Sequence, residues 1–236
     1  MNYFNLTQWI SNSMLKEFRD LVYGKVKPDN LQVIFDFGNL VDAITLEGKE
    51  IEHDVQGRLY IYNEASGEKM YFTMEQYEEA VAMKAAILAD ADLKMYMEGM
   101  KFQHVILRNK FAITFEGTTF YLPIRIKMDG FKKGFMVKDL KTTACETKKA
   151  CIASITHLDY DQQAALYLDV SGEKRFLFAF VGKKKNKMGQ YPVFKVSVTK
   201  GDEIYESGKR KYSYWAWKYY WMIHMLNTDS LIINLN

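Results

Sequence analysis

GFMVKDLKTT, residues 134–143, begins like a β-strand and ends in charge. Its first half is apolar and β-prone; Asp139 and Lys141 then stand two apart, followed by Thr142 and Thr143. Just upstream, in YLPIRIKMDG, residues 121–130, strand alternation puts Leu122, Ile124, Ile126 and Met128 on one face and Arg125, Lys127 and Asp129 on the other. The same rule puts Asp139 and Lys141 on one face of the second strand, with Met136 and Leu140 opposite. Two neighbouring strands of this kind bring two carboxylates and one ammonium to a common sheet face at their ends.

That set suits metal-assisted hydrolysis of a phosphodiester. Asp129 and Asp139 offer hard oxygen ligands for Mg²⁺, which takes one or two carboxylates together with phosphate oxygens and keeps waters elsewhere. Lys141 can orient an attacking water or stabilise the anionic transition state, and it offsets the repulsion between the two carboxylates. An acidic residue two before a lysine also occurs at Glu47/Lys49, Asp92/Lys94 and Glu146/Lys148. Asp92 falls in a predicted helix, where a spacing of two splays side chains apart, and the other two lack a preceding strand that ends in Asp. On its own spacing, the Asp139/Lys141 pair fits either a surface cross-strand salt bridge or a catalytic pair.

The surrounding periodicity alternates between helix and strand. Leu6 to Tyr23 has helical apolar spacing closed by Gly24, and a second short helix covers Asp36 to Leu46. Weak strands follow at Arg58 to Tyr62 and Lys69 to Phe72. Thr73 with Gln76 has the pattern of a capping box and opens a long helix from Met74 to about Met97. From Phe102 the period falls to two, giving strands at Phe102 to Leu107, Phe111 to Glu116, Thr119 to Asp129 and Gly134 to Lys141. A helix at Asp159 to Asp169, strands at Arg175 to Val181 and Pro192 to Thr199, and a closing helix at Asp202 to Asn227 complete the chain. The expected fold class is α/β, a central mixed β-sheet flanked by helices. The expected organisation is a single domain over 1–236: a helical part at 1–100, a sheet-containing catalytic core at 101–200 and an aromatic helix at 202–227.

Composition narrows the function classes. The 236 residues are 48% hydrophobic and carry no run of 18 apolar residues or signal-like N-terminus, so a cytoplasmic protein without membrane contact is expected. Two cysteines, Cys145 and Cys151, are too few for an iron–sulfur cluster or a four-cysteine zinc site. Charge is uneven along the chain. Residues 1–100 hold 9 Lys/Arg against 17 Asp/Glu, a net of −8, whereas residues 101–236 hold 23 against 12, a net of +11. The lysine clusters of the second part suit a polyanion such as nucleic acid, or are solvated loops.

In YDQQAALYLD, residues 160–169, Gln163 and Tyr167 are four apart and share a helix face. A carboxamide and a phenol placed there can hold a phosphate or the catalytic residues from behind, or simply pack. Asp129, the strand VKDLKTT and this Gln-x-x-x-Tyr helix together resemble the PD-(D/E)xK nuclease superfamily, in particular the phage exonuclease branch with lambda exonuclease, RecE and RecB-like nuclease domains. ISNSMLKEF, residues 10–18, and FGNLVDAITLE, residues 37–47, are similar to the N-terminal helices of that branch. The resemblance implies a restriction-endonuclease-like fold and Mg²⁺- or Mn²⁺-dependent cleavage of DNA. It assigns metal binding to Asp129, Asp139 and the backbone carbonyl of Leu140, and catalysis to Asp129, Asp139 and Lys141. Gln163, Tyr167, Thr142 and Thr143 become supporting or substrate-binding residues. Two positions depart from the pattern: Asp42 stands where a metal-binding His is frequent, and Gln103 stands at an upstream acidic position. Asp42 is then a further candidate ligand.

The functional expectation is a metal-dependent exonuclease acting on DNA ends, of the recombination or end-processing type and encoded by a phage or its bacterial host. The alternatives are an endonuclease with the same site, or a nuclease fold kept as a DNA-binding or assembly module. The partners expected are double-stranded DNA ends, further copies of the chain and a single-strand annealing protein. The aromatic stretch YSYWAWKYYWMIHML, residues 212–226, reads as a base-stacking platform, an oligomer interface or a helix docked on the sheet.

Overall fold

The computed structural model describes residues 8–26, 31–63 and 67–233. The first thirty of these place α1 (Asn12–Val22) and the start of α2 (Leu31–Asp42), which continues into a π-helical turn at Ala43–Glu47. Three short strands, β1 (Glu52–His53), β2 (Leu59–Tyr62) and β3 (Lys69–Phe72), form a small antiparallel sheet. Next come α3 (Met74–Ala89) and α4 (Ala91–Met97), then the long hairpin β4 (Lys101–Phe115) and β5 (Thr118–Lys132), and β6 (Met136–Thr143). Helices α5 (Lys148–His157) and α6 (Tyr160–Ser171) cross over to β7 (Arg175–Gly182), followed by β8 (Val193–Thr199) and α7 (Glu203–Ile233).

The main sheet runs β4-β5-β6-β7-β8; every pair is antiparallel except β6 with β7. That single parallel pair requires a crossover, which α5 and α6 supply. Strand β7 is buried on both faces. Phe176, Phe178 and Phe180 join the apolar cluster of α1, α5, α6 and α7, while Leu177, Ala179 and Val181 join that of α2, α3 and α4. Each large side chain so buried contributes about 1.5–3 kcal/mol of transfer free energy. The predicted face of β5 is observed, since Leu122, Ile124, Ile126 and Met128 all lie in the first cluster.

Several expectations are corrected. The predicted helix Met74–Met97 is two helices, because Asp90 leaves helical geometry (φ −75°, ψ 111°) and its side chain caps α4 by accepting from the Leu93 N–H. The capping box at Thr73 and Gln76 is present. The two strands predicted at Phe102–Leu107 and Phe111–Glu116 are one strand, β4, with a register shift between Arg108 and Phe111 that mimics a break in the periodicity. The first helix starts at Asn12, capped by the Ser11 hydroxyl; Leu6 and Thr7 lie outside the described residues. Helix α5 was not expected. Its β-branched, weakly amphipathic sequence carries little helical pattern, although Thr147 caps it by accepting from the Ala150 N–H.

Helix α7 docks on the sheet: Tyr205, Tyr212 and Trp215 are buried. Tyr205 and Tyr212 both donate hydroxyl hydrogen bonds to Asp169 of α6. The crossing is close. A Cβ on Gly208 would lie 1.9 Å from the Asp161 carbonyl oxygen. Trp221 stays exposed near the far end of the described side chains. Among the described residues, no helix is long and apolar enough to cross a membrane.

Candidate active site

Strands β5 and β6 part company where the acidic residues stand. Their pairing runs from Lys132↔Met136 to Gly130↔Lys138 and ends there. Further along β5, the vacated edge is covered by Ile10, whose N–H donates to the Pro123 carbonyl and whose carbonyl accepts from Arg125 N–H. The alternation of β5 also slips at this point: Met128 and Phe131, three residues apart, share one cluster, and Gln103 across from Asp129 takes a left-handed φ of 49°. The fork leaves the Leu140 N–H without a strand partner. Asp129 takes that place, its Oδ2 accepting from Leu140 N at 2.9 Å.

Asp139, beside Leu140, is buried and held from two sides. Gln163 Nε2 donates to its Oδ1 at 2.6 Å, and Lys141 Nζ lies 2.7 Å from its Oδ2. The pair therefore joins a buried carboxylate to a half-buried ammonium within a single strand and is not the surface cross-strand salt bridge that its spacing also allowed. Lys141 sits over the Tyr160 ring at 5.2 Å. Burial works against the Lys141 charge, yet Asp139 and Asp129 outweigh it and raise its pKa, so the ammonium is firmly charged.

Asp42 and Asp129 line one cavity of about 210 Å³ with Asn39, Glu47, Gln103 and Lys127. Burial and then the Asp139 charge push the Asp129 carboxyl up to about 7. Burial, followed by Asp129, pushes Asp42 well above the carboxylate range, with Asp139 and Glu47 adding to it and Lys141 opposing. These carboxylates repel one another and gain from a cation. No group of three His, Cys, Asp or Glu side chains among the described residues is arranged to hold a metal ion. A soft ion with a full set of protein ligands therefore does not fit, whereas a hard ion held by one or two carboxylates and waters does.

The structure thus brings together Asp129, Asp139, Lys141 and Gln163, with Asp42 alongside. Leu140 contributes its N–H, and its side chain packs in the cluster of α2–α4. Thr142 lies under α2, where a Cβ on Gly38 would be 3.8 Å from its Oγ1. The Thr143 hydroxyl accepts from Cys145 N–H in the turn after β6. Tyr167 is buried with its ring against Phe176, one turn deeper along α6 than Gln163. Glu47 was missed. The π-helical turn brings it to the same cavity as Asp42, five residues earlier, which an α-helix would not do. Its ion pair with Lys49, 2.6 Å, was visible in the sequence only as a spacing.

No family model and no curated protein matches the sequence. Among solved structures, the chain is similar to the "Putative exonuclease" from Eubacterium rectale, with 20% identity and a TM-score of 0.57 over 85% of this chain and 76% of that one. It is also similar to an alkaline exonuclease (LHK-Exo) from Laribacter hongkongensis, with 13% identity and a TM-score of 0.43 over 99% of this chain and 100% of that one. A phage related exonuclease from Haemophilus somnus 129PT gives 11% identity and a TM-score of 0.38 over 83% and 95%. The first of these likenesses establishes the fold: a mixed five-stranded sheet flanked by helices, of the restriction-endonuclease-like kind. It is the fold implied by the resemblance to the phage exonuclease branch of the PD-(D/E)xK superfamily.

Proposed function

We propose that the protein is a Mg²⁺- or Mn²⁺-dependent deoxyribonuclease that hydrolyses phosphodiester bonds at DNA ends. The observation that carries this reading is the fork between β5 and β6, where Asp129, Asp139 and Lys141 meet and Gln163 fixes the Asp139 carboxylate. Asp129, Asp139 and the Leu140 carbonyl would hold the ion, with Asp42 as a further carboxylate. When bound, the ion supplies Lewis acidity, neutralising phosphate charge and acidifying water. Lys141, kept charged by the two carboxylates, stabilises the negative charge that grows on the phosphate oxygens and orients the attacking water. Tyr160 beneath Lys141 restricts where the ammonium can go. Thr142, Thr143 and Tyr167 support the strand end and the helix behind it. The net +11 of residues 101–236 draws the DNA backbone to this half of the chain. The end-directed form of the activity follows the description of the Eubacterium rectale protein that shares the fold. Self-association through exposed aromatic residues of α7, such as Trp221, and cooperation with an annealing protein belong to the same reading.

The test is cleavage of end-labelled linear duplex, single strand and covalently closed circle, each with Mg²⁺, Mn²⁺ or EDTA. Degradation of linear DNA alone, lost with EDTA, is expected. Asp139→Ala and Lys141→Ala should each lower the rate by about 100-fold or more while the protein stays folded. Undiminished cleavage by purified Asp139→Ala protein would sink the assignment.

A further inference from the structure

At the end of the sheet away from the fork, the turn between β5 and β6 and the turn between α6 and β7 enclose an open groove of about 900 Å³. Four exposed cations line it: Arg108, Lys133, Lys174 and Arg175. Ile106, Phe131 and Phe135 give it apolar surface continuous with the two core clusters. Against the four cations the lining holds one carboxylate, Glu173. None of the four has an ion-pair partner among the described residues.

The groove is held in shape by its own hydrogen bonds. Glu173, only 8% exposed, accepts from the Gly134 N–H at 2.8 Å and so ties one turn to the other. Arg108 donates through Nε and Nη2 to the Val170 carbonyl, both at 3.2 Å, and Arg175 donates through Nε to the Phe135 carbonyl at 3.3 Å. Both guanidinium groups are thereby positioned, and each keeps N–H donors for another acceptor, since a guanidinium carries five. Such a planar fork matches a carboxylate, which it grips with two parallel hydrogen bonds.

The lining discriminates among polyanions. Bases of a single strand need a free aromatic face on which to stack. The Phe135 ring already carries Arg175 at 4.7 Å and Lys132 at 5.4 Å, and Phe131 stacks on His104 at 4.8 Å. A duplex presents its charged phosphate backbone and leaves the apolar floor uncovered. A peptide with acidic side chains on either side of an aliphatic one matches both parts, with polar rim and apolar centre as in protein–protein contacts. We propose that this groove docks an acidic segment of a partner protein, its carboxylates on the four cations and an aliphatic side chain on Ile106, Phe131 and Phe135. Lys141 pairs with Phe180, five residues along β7 from Arg175 and about 16 Å away at the usual strand rise, so the docked segment leaves the fork open. The proposal goes beyond the nuclease reading and stands whether or not that reading holds.

The test is fluorescence anisotropy of labelled peptides on the full chain, without divalent metal. The probes are a peptide of alternating Asp and Leu and one of alternating Asp and Ser; unlabelled single-stranded and duplex DNA serve as competitors. The proteins are wild type, Arg175→Glu and the double variant Lys133→Glu, Lys174→Glu. The two lysine side chains make no hydrogen bond or ion pair among the described residues, so the double variant keeps the test open should Arg175→Glu not fold. Expected are salt-sensitive binding of the Asp/Leu peptide, at least about tenfold weaker binding of the Asp/Ser peptide, and a loss of about tenfold or more in each variant. No binding of the Asp/Leu peptide, equal binding of both peptides, or binding that the folded variants leave unchanged would overturn the proposal. So would displacement of the peptide by DNA with a matching loss of DNA affinity in the variants, which would make the groove a nucleic-acid surface. Self-association of wild type that the double variant abolishes would give the groove to a second copy of the chain and overturn it likewise.

Discussion

Gln163 on α6 reaches across 24 residues of chain to donate its Nε2 hydrogen to Asp139 Oδ1 at 2.6 Å. With Lys141 at 2.7 Å on the other oxygen, the Asp139 carboxylate has both its oxygens engaged and one orientation available. The parallel β6–β7 pair makes this contact, because the crossover it demands lays α6 against the strand end.

Gln163→Ala should therefore lower cleavage by about 10- to 100-fold, the range found when a hydrogen bond that orients a ligand is removed. Gln163→Glu should be worse, since it sets a second carboxylate against Asp139. Stability should change little in the Ala variant. Comparing single-turnover rates with melting temperatures checks both halves, and equal rates for Gln163→Ala and wild type would remove Gln163 from the site.

The strand half of the site was legible because its signals are local. Period-two alternation located β5 and β6, and a spacing of two placed Asp139 beside Lys141. The i, i+4 spacing singled out Gln163, although the same spacing also named Tyr167, which the fold sends into the core against Phe176. Illegible features depend on geometry that has no period. Glu47 joins Asp42 only through the π-helical turn. The break at Asp90 escaped because one residue both ends α3 and caps α4, within a run of good helix formers.

Asp42 gives a prediction in which function and stability have opposite signs. Burial first, and Asp129 next, raise its folded pKa well above the ordinary 3.8. A raised carboxyl pKa means that the folded state holds its proton where the unfolded state has released it. The Asp42 contribution is thus full below about pH 4 and is lost as pH rises toward the folded pKa. Asp42→Asn should stabilise the metal-free protein at neutral pH by about 1 kcal/mol or more, with the gain vanishing in acid. The same change should raise the Mg²⁺ concentration for half-maximal cleavage, and Asp42→His should partly restore it. Superimposable Mg²⁺ titrations would leave Asp42 outside the site.

Gly208 tests the docking of α7. A Cβ there meets the Asp161 carbonyl oxygen at 1.9 Å and its carbonyl carbon at 2.3 Å, both backbone atoms that cannot turn aside. Gly208→Ala must separate α6 from α7, and it should cost about 3 kcal/mol or more, against the slight gain Ala normally brings to a helix interior. Urea denaturation measures it. Because α6 carries Gln163, the variant should also lose activity beyond its loss of folded protein.

Asp159 links three helices and carries a pH signature of its own. Its carboxylate pairs with Arg19 of α1 and, at 2.7 Å, with Lys211 of α7, while its left-handed φ of 55° starts α6. Burial opposes its ionisation, but Lys211 and Arg19 outweigh burial and hold its pKa below the ordinary 3.8. A depressed carboxyl pKa contributes stability that is present above the unfolded value and lost as pH falls through the folded one. Asn is the informative substitution because it also tolerates left-handed backbone, so the loss isolates the charge. Asp159→Asn should cost about 1–3 kcal/mol at pH 7 and leave Arg19 and Lys211 without this partner. The deficit should narrow below about pH 4, where the wild-type carboxylate itself begins to protonate. Urea midpoints for both proteins between pH 3 and pH 7 decide it: a constant gap would show that the interaction with Asp159 does not depend on its charge.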